Sequence, residues 1–202
     1  MKTNNSYITR GTALFTIAIG CLVLLGWFSD IPAFRSILPG SISMKFNTAV
    51  CFILSGITLY LLDLPAGNQV RKTVVVTCSW IILFAGLLSF SQYIFGWNLG
   101  IDGLLWKDIS NDITTAFPGR MSLITSINFS LLGSAFILLE RKRYYWLIQA
   151  LLIAILPGAL GVIINYIYGV SFLNLVPLFA NTSFPTAILF ILLFIGAFIS
   201  PA

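Results

Sequence analysis

Six apolar stretches without a single charged residue, at about residues 11–29, 46–62, 73–95, 121–139, 146–168 and 184–200, leave this chain few ways to fold. Each is close to the roughly 17–25 residues that a helix needs to cross the hydrocarbon core of a bilayer. A Lys, Arg or Asp at the centre of such a helix costs about 2.5–3.5 kcal/mol on insertion scales, so spanning segments avoid them. The stretches lack the period-two alternation and the short length of barrel strands. Helices remain, because only they satisfy every backbone group internally. The expectation is an all-α membrane protein with six transmembrane helices. Composition agrees: 58% of the 202 residues are hydrophobic and 8% charged, where a soluble domain carries about a quarter charged residues. A mean hydropathy of +0.99 also excludes the polar, charge-rich composition of disordered chains.

Lys2 and Arg10 ahead of the first stretch resemble the start of a signal peptide, but the apolar run from Gly11 to Phe28 outlasts an h-region and reaches Trp27. Ala18-Ile19-Gly20-Cys21 lacks the leading leucine of a lipoprotein cleavage box, and hydrophobicity continues past the cysteine. A retained first span is the reading.

Basic residues in the connections set the orientation. With the N-terminus inside, Lys2, Arg10, Arg71, Lys72, Arg141, Lys142 and Arg143 are cytoplasmic, against Arg35, Lys45, Lys107 and Arg120 outside. The outer bases are matched by Asp30, Asp102, Asp108 and Asp112, the inner ones only by Asp63 and Glu140, so the +5 net charge lies inside. This balance indicates topology and contact with anionic lipid, not nucleic-acid binding. The inner turns are short; the outer loops, from Asp30, Gly96 and Gly169, are longer and rich in Gly, Pro and Asn.

The stretches also repeat. Tyr93-Ile94-Phe95-Gly96-Trp97 closes the third, Tyr166-Ile167-Tyr168-Gly169-Val170 the fifth, and Leu25-Gly26-Trp27 the first. The even stretches begin with Asn47-Thr48-Ala49-Val50-Cys51-Phe52, Ile124-Thr125-Ser126-Ile127-Asn128-Phe129 and Pro185-Thr186-Ala187-Ile188-Leu189-Phe190, which align on Thr and Phe. Gly56 and Gly133 follow that Phe by four residues, Pro39-Gly40 and Pro118-Gly119 precede re-entry, and Pro177 stands near the matching place in the third copy. Three repeated helical hairpins are expected, at about 11–62, 73–139 and 146–200, forming one transmembrane domain.

No histidine is present, which removes histidine-based metal, haem and proton-relay sites. Cys21, Cys51 and Cys78 lie at different depths and serve as small apolar packing residues. No lysine or carboxylate lies within a span, and no Walker, metalloprotease or kinase motif occurs, so neither catalysis nor a cofactor is expected from these residues. Polar side chains in lipid must face the bundle. Gln92, Tyr93, Asn128, Asn165 and Tyr166 gather toward the outer side, near Thr48, Thr125 and Thr186 of the re-entering helices, and those first five residues with Trp97 and Arg120 form the candidate ligand-binding set of seven. Interhelical hydrogen bonding is the competing role for them. Arg120 could pair with Asp102, Asp108 or Asp112 and fasten the longest loop, but the small worth of exposed ion pairs favours a solvated interfacial arginine. Ala150, Ala154 and Gly158, and Ser126, Ser130 and Ser134, mark close helix crossings, and Pro157-Gly158 predicts a kink.

Ile31-Pro32-Ala33-Phe34, Leu38-Pro39-Gly40, Met44, Asn47-Thr48-Ala49 with Phe52 and Gly56, the run from Tyr93 to Asp102, and Pro118-Gly119-Arg120-Met121-Ser122 with Asn128-Phe129 resemble a known pattern. It is that of the multi-span N-terminal input region found ahead of PAS, histidine kinase or diguanylate cyclase domains in bacteria. The resemblance runs from Gly20 to the end and departs at Ser126, where Ala is expected, and in the third outer loop. It implies a sensor of the bacterial inner membrane, multi-pass, with both termini cytoplasmic, acting as a homodimer in a two-component or cyclic-dinucleotide pathway. The chain ends at Ile199-Ser200-Pro201-Ala202, where the sixth helix would emerge inside, so an isolated input module without its kinase or cyclase is expected. Its partners would be the lipid bilayer and a small or lipophilic ligand reaching it from the outer side. The alternatives are a small transporter or channel, disfavoured by the absence of intramembrane charge, and a membrane scaffold or assembly subunit, which needs no pocket.

Overall fold

The computed structural model of the protein describes residues 2–36, 41–65, 69–106, 108, 117–168 and 181–200. Its helices are α1 (Lys2–Phe28), α2 (Pro32–Arg35), α3 (Phe46–Leu62), α4 (Gln69–Phe95), α5 (Leu123–Arg141), α6 (Tyr145–Ile153), α7 (Leu156–Tyr168) and α8 (Phe184–Ile199). Each of the six apolar stretches is helical, and among the described residues no strand occurs. Four helical segments are long and apolar enough to cross a membrane: Asn5–Phe28, Gln69–Phe95, Leu123–Arg141 and Tyr145–Tyr168, the last being α6 and α7 together. The other two apolar helices, α3 and α8, are shorter. At 1.5 Å per residue they reach about 25 Å, somewhat less than a hydrocarbon core of about 30 Å.

Local chemistry sets the helix ends. Ser122 caps α5, its hydroxyl accepting from the Thr125 amide, and Pro185 starts α8 where a missing N–H costs nothing. The α5–α6 turn is tight because Lys142 and Tyr144 are both left-handed, with φ of 51° and 60°. The fifth stretch breaks at Ala154–Ile155, one turn ahead of the expected Pro157-Gly158 kink. A proline disturbs the preceding turn, since its ring crowds the carbonyl four residues back and it offers no amide to that turn.

The helices form two layers. Inside, α3, α5 and α8 converge on Phe52, Phe129 and Phe190, whose ring centroids lie 4.8–5.0 Å apart. These are the three phenylalanines on which the even stretches align, and all are fully buried. Outside, α1 packs on α3 and α8, α4 on α5 and α3, and α6 and α7 on α5 and α8. Glycines allow the closest crossings. A methyl group on Gly86 would stand 2.6 Å from the Ser130 amide nitrogen, and one on Gly133 would stand 2.7 Å from that of Leu83. Gly20 and Gly56 meet α3 and α1 in the same way, at Ile53 and at Ala13 and Ile17.

The side-chain distribution is that of a protein surrounded by lipid. Leu14, Leu25, Phe84 and Leu87 are exposed, while Thr16, Ser55, Thr58, Ser79 and Ser126 are buried. Buried hydroxyls need acceptors, and several bond the carbonyl three or four residues back: Thr16 to Thr12, Ser55 to Cys51, Ser79 to Val75 and Ser126 to Leu123. Charges are confined to the two ends of the bundle. At the end bearing the short turns, Arg10 meets Asp63 at 2.7 Å and Arg71 meets Glu140 at 3.6 Å.

Candidate functional site

At the opposite end of the bundle, where the described parts of the long connections lie, the start of each of α3, α5 and α8 is fastened by an aromatic donor. The Trp27 indole donates to the carbonyl of Met44 at 3.0 Å, the Tyr93 hydroxyl to that of Met121 at 2.7 Å, and the Tyr166 hydroxyl to that of Thr182 at 3.4 Å. Each acceptor directly precedes the N-cap residue of α3, α5 or α8, namely Lys45, Ser122 and Ser183. The tie has a physical reason: a carbonyl just ahead of an N-cap lies outside the helix and has no intrahelical donor, and an amphipathic ring at the membrane boundary supplies one.

Around the second tie lies the densest polar cluster. Arg120, 5% exposed, donates Nε to Asp102 Oδ2 at 2.8 Å and Nη2 to Gln92 Oε1 at 3.2 Å. Gln92 Nε2 bonds the other carboxylate oxygen of Asp102 at 3.1 Å, and its own oxygen also accepts from the Leu99 amide at 3.0 Å. The guanidinium carbon stands 4.1 Å from the ring centre of Phe117 and 5.6 Å from that of Tyr93. Arg120 is therefore no solvated interfacial arginine. The sequence favoured that reading because exposed pairs are weak, whereas here the loop folds back and closes water off from both partners. A second buried pair, Lys45 with Asp108 at 2.8 Å, holds the same loop to the start of α3. Gly119, at φ +76°, lies so close to Asp102 that a methyl group would stand 2.7 Å from its carbonyl oxygen. Trp106 packs between Phe28 and Phe46, at 5.2 and 5.5 Å. Asp112, Lys107, Pro39-Gly40, Gly169-Val170 and Pro177 lie outside the described residues.

The seven residues singled out from sequence divide among separate places. Gln92, Tyr93 and Arg120 form the cluster just described. Trp97 is half-exposed, donates to Ser91 at 3.3 Å and tilts against Phe95. Tyr166 is tied to Thr182, packs on Phe184 at 5.4 Å, and has Ser41 and Ile42 within reach of its hydroxyl. Asn128 is buried against Gly158 of α7, and its Nδ2 finds no hydrogen-bond partner among the described residues. Asn165 is half-buried on α7. Of the two small-residue series, the serines pack against α4 through Gly86, whereas Ala150 and Ala154 face outward.

Between α3 and α4 the structure opens a cavity of about 540 Å³, within the size range of small-molecule sites. Its walls are Asn47, Val50, Cys51 and Leu54 of α3 and Val76, Thr77, Trp80, Ile81, Phe84, Ala85, Leu88 and Ser89 of α4. Ile101, Leu104, Leu105 and Met121 close it at the loop end. Val50, Cys51, Val76, Thr77, Ala85 and Ser89 are the smaller side chains of these walls, and the exposed rings of Trp80 and Phe84, which also line the cavity, stack at 5.4 Å. None of the seven singled-out residues lines it, yet Ile101 and Met121 are the chain neighbours of Asp102 and Arg120. A signal for it was present in sequence as the run of small residues Val76, Thr77, Ala85 and Ser89 on one long helix. Apolarity alone gave no reason to choose that helix over the others. Among the described residues no cluster of His, Cys, Asp or Glu has the makings of a metal site.

Fold and site together define a class: an all-helical membrane protein with four helices fit to span, a plugged axis, and an apolar groove beneath a latched loop. No family model matches the chain, and neither a curated protein nor a solved structure matches it at a significant level.

Proposed function

We propose that the chain is a membrane-integral sensory input module that takes a lipophilic ligand into the α3–α4 groove and signals by a change of helix packing carried to α8. In this reading all six apolar helices cross the bilayer as three hairpins, α1 with α3, α4 with α5, and α6–α7 with α8. Both ends then lie in the cytoplasm of a bacterial cell, and the latched loops face outward. The resemblance to the input regions of histidine kinases and diguanylate cyclases supports it, and so does the repetition of the three aromatic ties. One observation carries the ligand: the groove ends on Ile101 and Met121, each adjacent to one partner of the Asp102–Arg120 ion pair. A molecule filling the groove presses on the loop and on the start of α5 together. Because α3 also packs on α8, spreading α3 from α4 displaces the last helix, and small helix shifts are an established switching device. A transporter is disfavoured by the Phe52–Phe129–Phe190 plug on the axis.

The test is saturable photolabelling of the purified protein with a diazirine fatty acid. Peptides spanning 47–54 and 76–89 should carry the label, unlabelled fatty acid should compete it away, and Ala85→Trp should abolish it. Uniform, non-saturable labelling of every lipid-facing helix would sink the ligand reading. In a fusion to a histidine kinase, inserting one residue after Ser200 should alter output; unchanged output would show that α8 does not carry the signal.

A further inference from the structure

The short-turn end carries a second cavity, unrelated to the groove. It measures about 450 Å³ and is lined by Lys72, Leu138, Glu140, Arg141, Arg143 and Tyr144. Its one carboxylate is already engaged: Glu140 faces Arg71 at 3.6 Å, while Arg71 also donates to the carbonyls of Leu61 and Leu62 at 2.6 and 3.3 Å. Lys72, Arg141 and Arg143 form no ion pair among the described residues, so the cavity keeps three uncompensated cations. Lys72 stands in the first turn of α4, where the free amides of a long helix add positive potential. The left-handed residues Lys142 and Tyr144 turn the chain sharply, with Arg143 between them and Arg141 at the end of α5. Beside the cavity, Tyr144, Tyr145 and Trp146 are 58%, 54% and 70% exposed in succession. Exposed aromatic residues in a row belong at the headgroup level of a bilayer, which fixes the depth of the cavity.

We propose that this cavity binds the headgroup of an anionic phospholipid from the adjacent leaflet, with Lys72, Arg141 and Arg143 around the phosphate and the aromatic row against the glycerol and upper acyl chains. Basic pockets between helices at a membrane surface take such headgroups. The inference rests on membrane embedding alone and is independent of what fills the groove.

Native mass spectrometry of the full chain in detergent, titrated with phosphatidylglycerol or phosphatidylcholine, tests it. Phosphatidylglycerol should stay bound where phosphatidylcholine does not. Each charge at a membrane surface contributes about a fivefold change in affinity, so Lys72→Gln, Arg141→Gln and Arg143→Gln together should weaken binding by on the order of a hundredfold. Arg141→Lys with Arg143→Lys should retain it. Lys142→Asn, which removes a neighbouring charge outside the cavity and tolerates the left-handed backbone, should leave affinity unchanged. If the triple variant fails to fold, Arg143→Gln alone is read, with about a fivefold loss expected. Equal binding of the two lipids, or an equal loss with Lys142→Asn, would overturn the site. Complete displacement of the lipid by inorganic phosphate would assign it to a soluble anion instead.

Discussion

Replacing Arg120 with Gln removes one partner of a buried ion pair and keeps a polar side chain of fair length. Arg120 contributes the 2.8 Å bond to Asp102, the 3.2 Å bond to Gln92 and two ring contacts. Breaking a buried pair from one side costs about 3–5 kcal/mol, because the remaining charge is stranded. Asp102 keeps the Gln92 donor at 3.1 Å and lies near the end of the bundle, which places the loss at the low end, about 3 kcal/mol. At about 2–4 °C per kcal/mol for a chain of this size, the melting temperature should fall by about 6–12 °C. The double variant Arg120→Gln with Asp102→Asn strands no charge and should recover about half of that loss, leaving mainly the lost ring contacts. Thermal or denaturant unfolding in detergent gives the stability cycle. Hydrogen exchange over residues 99–106 gives the local effect, which should rise in the single variant while exchange in α1 and α3 holds. A single variant melting within about 2 °C of the parent, or a double variant melting as low as the single one, would show that the pair does not latch the loop.

Two further expectations follow from packing. Phe52→Ala, Phe129→Ala and Phe190→Ala should each cost about 3–5 kcal/mol in the same unfolding assay, and within about 1 kcal/mol of one another if the three helices play equivalent parts on the axis; Phe198→Ala, at a half-exposed position, should be nearly silent. Gly86→Leu should destabilise strongly or misfold, since its Cβ would stand 2.6 Å from the Ser130 amide, whereas Gly11→Ala, with nothing within 4 Å, should gain about 0.5–1 kcal/mol from helix propensity alone.

The helices were legible because exclusion of charge from lipid is a severe filter, and residues 46–62 emerge as a helix with the same bounds. The first helix begins earlier than its apolar core, at Lys2, because nothing in Lys2–Arg10 stops a helix and its polar face has partners: Ser6 and Arg10 both reach Asp63. The alignment on Thr and Phe found the axis, since Phe52, Phe129 and Phe190 can meet only if their helices share a register. The glycine corners misled slightly. Trp27 does the work of Tyr93 and Tyr166 as a donor to a helix start, so its counterpart is Tyr93 and not the nearby Trp97. The Lys45–Asp108 pair was hidden, because its partners are 63 residues apart and each looks like an ordinary loop charge until the loop folds back.

The proposed sensing role depends on the three outer positions being filled unequally. On one side α1 lies tightly in the groove between α8 and α3, where Thr9 bonds the Gly196 carbonyl at 3.1 Å and Thr12 and Leu59 leave no room for a side chain at Gly196. On another, α6 and α7 lie against α5 with Asn128 pressed onto Gly158. In the third, α4 is clasped to α5 through Gly86 and Gly133 and also packs on α3, but the 540 Å³ cavity remains between α3 and α4. A close-packed bundle resists deformation, so movement is concentrated where packing is already incomplete. In the proposed function, a lipophilic molecule filling the α3–α4 interface would act where the fold already leaves space, and the two ion pairs that fasten the loop over that interface would set how far the opening travels.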